Sequence, residues 1–160
     1  IKDIIGYLRL LQNPTDGQAF LRVVNTPTRG IGAQALRAVS DHAAQHGVSL
    51  LEAAGQLASG HKGLRKFVEL MENLREYAAG ASLSELVEKV IEDSEYGPRL
   101  RAMNDVTAQS RHENLLEFIA LSRGVEFAGD RTTLQEFLDR ISLTSGGDAP
   151  TSESPQDESQ

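Results

Sequence analysis

The residue types come closest to doing chemistry in the run Phe20-Leu21-Arg22-Val23-Val24-Asn25-Thr26-Pro27-Thr28-Arg29-Gly30-Ile31-Gly32, which leads into a helical pattern at Ala33. Pro27 cannot continue a helix and biases Thr26 toward extended backbone. Gly30 and Gly32 bracket one apolar residue, so the chain can turn sharply while Ile31 anchors the turn in the core. The amides of Gly30, Gly32 and the first helical turn have no partner within the helix, and the helix dipole adds partial positive charge there. With the Arg29 guanidinium and the hydroxyls of Thr26 and Thr28, they make a small anion site suited to a phosphate. A glycine pair before a helix also serves as a plain tight connection. Arg29, the two hydroxyls and the local charge favour the phosphate.

That local charge differs from the average. The 160-residue chain carries a net −7, yet Lys2, Arg9, Arg22, Arg29 and Arg37 outnumber Asp3 and Asp16 within residues 1–37. From Thr144 onward the charged residues are all acids, namely Asp148, Glu153, Asp157 and Glu158. The average would argue against a polyanionic partner, whereas the first segment leaves room for one. The turn resembles the hairpin of helix-hairpin-helix modules, which hold DNA phosphates through backbone amides without reading bases.

Other constellations carry less. His42 and His46 stand four apart on a helical pattern, a spacing that can place two imidazoles on one metal, but Asp41 is the one nearby carboxylate and a solvated helix face is the simpler reading. His61 sits in a Ser-Gly-His-Lys-Gly connector and His112 follows Arg111. Carboxylates such as Glu92 with Asp93 and Glu113 with Glu117 read as helix-surface charges. Nothing resembles a nucleophile elbow. The absence of cysteine excludes disulfides, thiol nucleophiles and Cys-based zinc sites. No catalytic residue and no metal ligand set is expected. Phe20, Phe67 and Phe118 fall on apolar stripes, which favours core packing over base stacking.

The elements that must position the turn are helical. Leu64, Phe67, Val68, Met71 and Leu74 follow helical spacing, with Tyr77 extending the stripe, as do Leu83, Leu86, Val87, Val90 and Ile91, and Leu134, Phe137, Leu138 and Ile141. Ser82 with Glu85 and Thr132 with Gln135 read as capping boxes, and Gly80 and Gly124 as stops. The spacing predicts an all-α domain of about eight helices near 3–12, 16–24, 33–46, 49–58, 62–79, 83–92, 107–123 and 133–143, with a short extra turn around 96–101. From Ser145 the composition turns to Gly, Ser, Thr, Pro and acids. Residues 1–144 therefore read as one folded unit and 145–160 as a disordered acidic linker. No apolar run is long enough to span a bilayer, so a cytoplasmic location without membrane contact is expected. The helical pattern already runs at Ile1, as in a piece cut from a longer protein.

Ile1-Lys2-Asp3, Tyr7-Leu8-Arg9-Leu10, Asn13-Pro14, Ala19-Phe20, Arg22 through Pro27 and Arg29-Gly30-Ile31-Gly32 resemble, in order and spacing, the UvrD/PcrA/Rep helicases of superfamily 1. The match is to the start of their 2B subdomain, an all-helical insertion in the second RecA-like motor domain. Arg111-His112-Glu113-Asn114-Leu115 is similar to that subdomain's later Arg-x-Glu-Asn-Leu element, and the tail is similar to the segment preceding the return to the motor. The resemblance covers essentially the whole chain and is weakest over 34–106.

The resemblance implies a non-catalytic accessory subdomain of an ATP-dependent DNA helicase acting in repair or replication. Such a subdomain contacts duplex backbone ahead of the fork and swivels to regulate unwinding. Thr28, Arg29, Gly30 and Gly32 then read as duplex-backbone contacts, with Thr26 beside them and Ile31 as anchor. Arg111 and Asn114 have two roles open, DNA contact and helix capping. No G-x-x-x-x-G-K-[ST] loop is present, so ATP and Mg are expected in the parent and no cofactor in this segment. The implied partners are double-stranded DNA, the other helicase subdomains in cis, and regulatory proteins. An inserted subdomain also implies that its two ends lie close together, with Ser145-Gly146-Gly147 as the flexible return. The alternative reading is a protein-interaction or self-association module of the same helicase.

Overall fold

The computed structural model describes residues 1–127 and 133–148. Among them, regular structure is helical throughout: α1 (Lys2–Gln12), α2 (Gly17–Val23), α3 (Ala33–His46), α4 (Leu50–Leu57) with a 3₁₀ turn at Ala58–Gly60, α5 (Lys62–Ala78), α6 (Leu83–Asp93), α7 (Tyr96–Ala102), α8 (Val106–Phe127) and α9 (Leu134–Asp148). No described helix is long and apolar enough to cross a membrane.

The start signals hold where the capping chemistry was complete. The Ser82 hydroxyl accepts from the Glu85 amide, and the Glu85 carboxylate accepts from the Ser82 amide at 2.8 Å. At α9 the same device falls one residue later than expected. Thr133 and Glu136 exchange these bonds at 3.1 Å each, whereas Thr132 lies outside the described residues.

Neither glycine acts as the expected stop. α5 ends at Ala78 and its capping residue Ala79 is right-handed. The left-handed glycine cap belongs instead to Gly47, φ 63°, after α3. α8 runs through Gly124, because one helical glycine costs only about 1 kcal/mol and Val125 beyond it still packs on the core. α9 continues to Asp148, past the expected boundary at 144/145. Once Phe137 and Leu138 anchor its start, extending a helix costs far less than nucleating one. Residues 149–160 of the expected linker lie outside the described residues.

α1 sits at the centre, packed against α2, α5, α6 and α9. Its Ile4, Tyr7, Leu8 and Leu10 are fully buried. Phe20 of α2 meets Phe67 of α5 edge to face at 5.7 Å, and Phe118 of α8 meets Phe137 of α9 at 5.6 Å. The aromatics on the apolar stripes are core residues, as their spacing indicated. α1 and α9, first and last, lie side by side, with an Arg9 guanidinium donating to the Ser142 hydroxyl at 2.6 Å.

Candidate nucleic-acid interface

The connection between α2 and α3 is built from the inside. α2 starts at Asp16, whose carboxylate accepts from the Ala19 amide at 3.0 Å, and stops at Val23 before the cis Thr26–Pro27 bond. Ending a helix leaves carbonyls without donors. Here the donors are side chains. The Arg29 Nη1 donates to the carbonyls of Val23 (3.0 Å), Val24 (3.1 Å) and Thr26 (3.4 Å). Its Nη2 donates to the Tyr7 hydroxyl and to the Ser94 carbonyl at 3.4 Å. The Tyr7 hydroxyl in turn donates to the Thr26 carbonyl. The guanidinium also lies over the Phe67 ring, 5.3 Å from its centroid. Burial pushes the Tyr7 phenol above its ordinary pKa, and the Arg29 charge opposes that shift, so the phenol is a neutral donor at pH 7.

Asn25 completes the frame. Its Oδ1 accepts from the Arg29 amide at 2.6 Å and the Ile31 amide at 3.2 Å. This side-chain-to-backbone closure is one that asparagine forms readily in turns. Ile31 is 3% exposed and anchors the turn as expected. The first turn of α5 lies directly beneath: a Cβ on Gly63 would stand 2.5 Å from the Arg29 carbonyl oxygen and 2.8 Å from Ile31 Cγ1. Only glycine permits that approach.

What remains outside is a row of free amides. Gly30 is left-handed at φ 75° with open space around it, and Gly32 is extended and equally open. The first bond of α3 runs from the Leu36 amide to the Gly32 carbonyl. Gly30, Gly32, Ala33 and Gln34 are exposed, and their N–H groups have no partner among the described residues.

The site residues expected from sequence thus divide. Gly30 and Gly32 face solvent. Thr28 is exposed, and its carbonyl (2.9 Å) and hydroxyl oxygen (3.3 Å) accept from Arg99, leaving the O–H free to donate outward. Thr26 is half-buried and its hydroxyl is engaged within the chain, donating to the Arg22 carbonyl at 3.0 Å. Arg29 turns in, because the unmet carbonyls at the end of α2 compete for its guanidinium more effectively than solvent does. It is a clamp for the loop, and the outward cations nearby are Arg99 and Lys66, which share a groove with Thr28. Glu69, Asp93 and Glu95 line the same groove, and Glu95 pairs with Arg99 at 3.1 Å.

Arg111 and Asn114 lie on the exposed side of α8, in the helix interior and not at its ends. His61 is more than a connector: its Nδ1 accepts from the Leu64 amide at 3.2 Å and caps α5. His42 and His46 stack ring on ring at 4.1 Å on α3, with His42 bonded to Gln56. No group of three or more potential metal ligands occurs among the described residues.

Residues 1–156 match the model of the UvrD-like helicase C-terminal domain. The ATP-dependent DNA helicase PcrA of Bacillus subtilis (strain 168) is 37% identical over 149 residues, covering 89% of this chain and 20% of that protein. The ATP-dependent DNA helicase UvrD1 of Mycobacterium tuberculosis (strain ATCC 25618 / H37Rv) is 34% identical over 173 aligned positions, covering 92% and 22%. PcrA of Staphylococcus aureus (strain NCTC 8325 / PS 47) is 30% identical, covering 96% and 22%. The chain spans about a fifth of the length of these relatives. It belongs to the UvrD-like helicase C-terminal domain family.

Proposed function

We propose that this chain is the 2B-type subdomain of an ATP-dependent DNA helicase and that it holds duplex DNA by the backbone. The amides of Gly30, Gly32, Ala33 and Gln34 grip a phosphate, helped by the Thr28 O–H. The single observation that carries this reading is the split within the loop. The Arg29 and Ile31 amides and the Arg29 guanidinium are engaged, while the amides of Gly30, Gly32, Ala33 and Gln34 are exposed and unpartnered among the described residues. Backbone amides read no bases, so binding is independent of sequence and weakens with salt. ATP and Mg act in the parent's motor. As an inserted unit the chain swivels to regulate unwinding. A second reading, self-association, is favoured by the apolar groove in which Leu121, 53% exposed, meets Ile1, Phe118 and Phe137; concentration-dependent sizing without DNA binding would support it.

Gly32→Asp tests the amide grip. Gly32 is the N-cap of α3, in extended backbone with nothing near its Cβ. An aspartate there accepts the Gln34 or Ala35 amide, adding a few tenths of a kcal/mol of stability. It also places a carboxylate where the phosphate would sit. Thermal unfolding is expected to show equal or higher stability, and fluorescence anisotropy with a hairpin duplex at low salt an affinity loss of about tenfold or more. Unchanged affinity would remove the reading.

A further inference from the structure

We propose that the last turn of α3 and the facing side of α4 hold a divalent transition-metal ion of the zinc class through His42, His46 and Gln56. The ligand atoms are the Nε2 of each imidazole and the Gln56 Oε1. The two rings stack with centroids 4.1 Å apart and planes 24° apart, which brings both within reach of one ion. Gln56 crosses from α4 and sets its Oε1 2.6 Å from a His42 ring nitrogen, Nε2. Neighbouring ligands about 2.1 Å from one ion stand about 3 Å from each other, so this pair is already close to the spacing a metal needs.

The tautomer of His46 is fixed by its surroundings. Its Nδ1 lies 3.0 Å from the His42 carbonyl oxygen. A carbonyl only accepts, so Nδ1 carries the proton and Nε2 keeps its lone pair, with no partner among the described residues. An imidazole whose far nitrogen donates to a backbone carbonyl has the support that metal-ligating histidines commonly have. Helix capping accounts for the Nδ1 bond, but it leaves Nε2 and the stacked neighbour without a use. His42 now donates from Nε2 to Gln56; when the ion binds, its proton moves to Nδ1, and Nε2 and the Gln56 oxygen both turn to the metal.

The scaffold is in place before any ion arrives. α3 and α4 pack on each other, and the left-handed Gly47 ends α3 directly after His46. His42 is half-buried, while His46 and Gln56 are exposed, so an ion enters without opening the core. The third ligand is an amide oxygen, since no group of three histidine, cysteine or carboxylate side chains forms among the described residues. Two neutral imidazoles with one amide oxygen suit zinc, nickel or copper, whereas magnesium prefers carboxylates and water. The site lies at the opposite end of α3 from the glycine turn and does not depend on the duplex reading.

The test is calorimetric titration of the tag-free chain with zinc chloride, with magnesium chloride as control, alongside thermal unfolding with and without zinc. The expected result is one zinc per chain and, at a free concentration tenfold above the dissociation constant, a rise in melting temperature of about 4 °C. Magnesium should give neither. His42→Ala and His46→Ala are each expected to lose tenfold or more in zinc affinity and Gln56→Ala about threefold, while all three melt close to the parent when metal-free. Zinc affinity equal to the parent's in either histidine variant, or no zinc uptake by the parent chain, would overturn the site.

Discussion

Arg29→Ala is expected to destabilise the chain by about 3 kcal/mol, before any effect on DNA is considered. The guanidinium supplies donors to the carbonyls of Val23, Val24, Thr26 and Ser94 and to the Tyr7 hydroxyl. Removing it leaves the Val24 and Ser94 carbonyls with no donor, while the Val23 and Thr26 carbonyls keep bonds from the Thr26 amide and the Tyr7 hydroxyl. For a chain of this size that corresponds to a fall in melting temperature of about 10 °C. Arg29→Lys should recover less than half of the loss, since one ammonium cannot fork between two groups of acceptors. A surface arginine serving phosphate alone would behave in the opposite way: melting unchanged, duplex affinity reduced, lysine a fair substitute. Thermal unfolding of the two variants separates these accounts.

Asn25→Ala is expected to cost about 2 kcal/mol, because it strands two amides on the inner side of the loop. The Arg29 and Ile31 N–H groups both end on Asn25 Oδ1, and alanine offers them nothing. Asn25→Asp retains an acceptor in the same place and should restore most of the stability, as read from denaturant midpoints. Because Asn25 faces inward, its loss should also weaken duplex binding by letting the outward amides lose their common direction. Wild-type stability in Asn25→Ala would mean that those two bonds do not hold the turn.

The helices were legible because their signals are local. The apolar spacing of α5 and α6 and the Ser82–Glu85 pair need only one turn of context. The glycine corner and the Ile31 anchor were legible for the same reason. The direction in which Arg29 points was not, since it depends on which carbonyls are left unmet when α2 ends and on Tyr7, twenty-two positions earlier. Gly63 looked like part of a connector because its reason for being glycine, the carbonyl of Arg29, is tertiary. Asn25 was within reach: an asparagine two residues before a proline is a common closer of turns. The helix at Gly124 shows the reverse case, in which packing of Val125 overrides a local breaker.

The most direct measurement is amide NMR of the isotope-labelled chain titrated with a short hairpin duplex at low salt. The expected result is that the Gly30, Gly32, Ala33 and Gln34 resonances move together along one saturation curve, while the Arg29 and Ile31 amides, already held by Asn25, move least. Shifts that leave both glycine amides still and gather elsewhere, such as along α8 around Arg111, would contradict it.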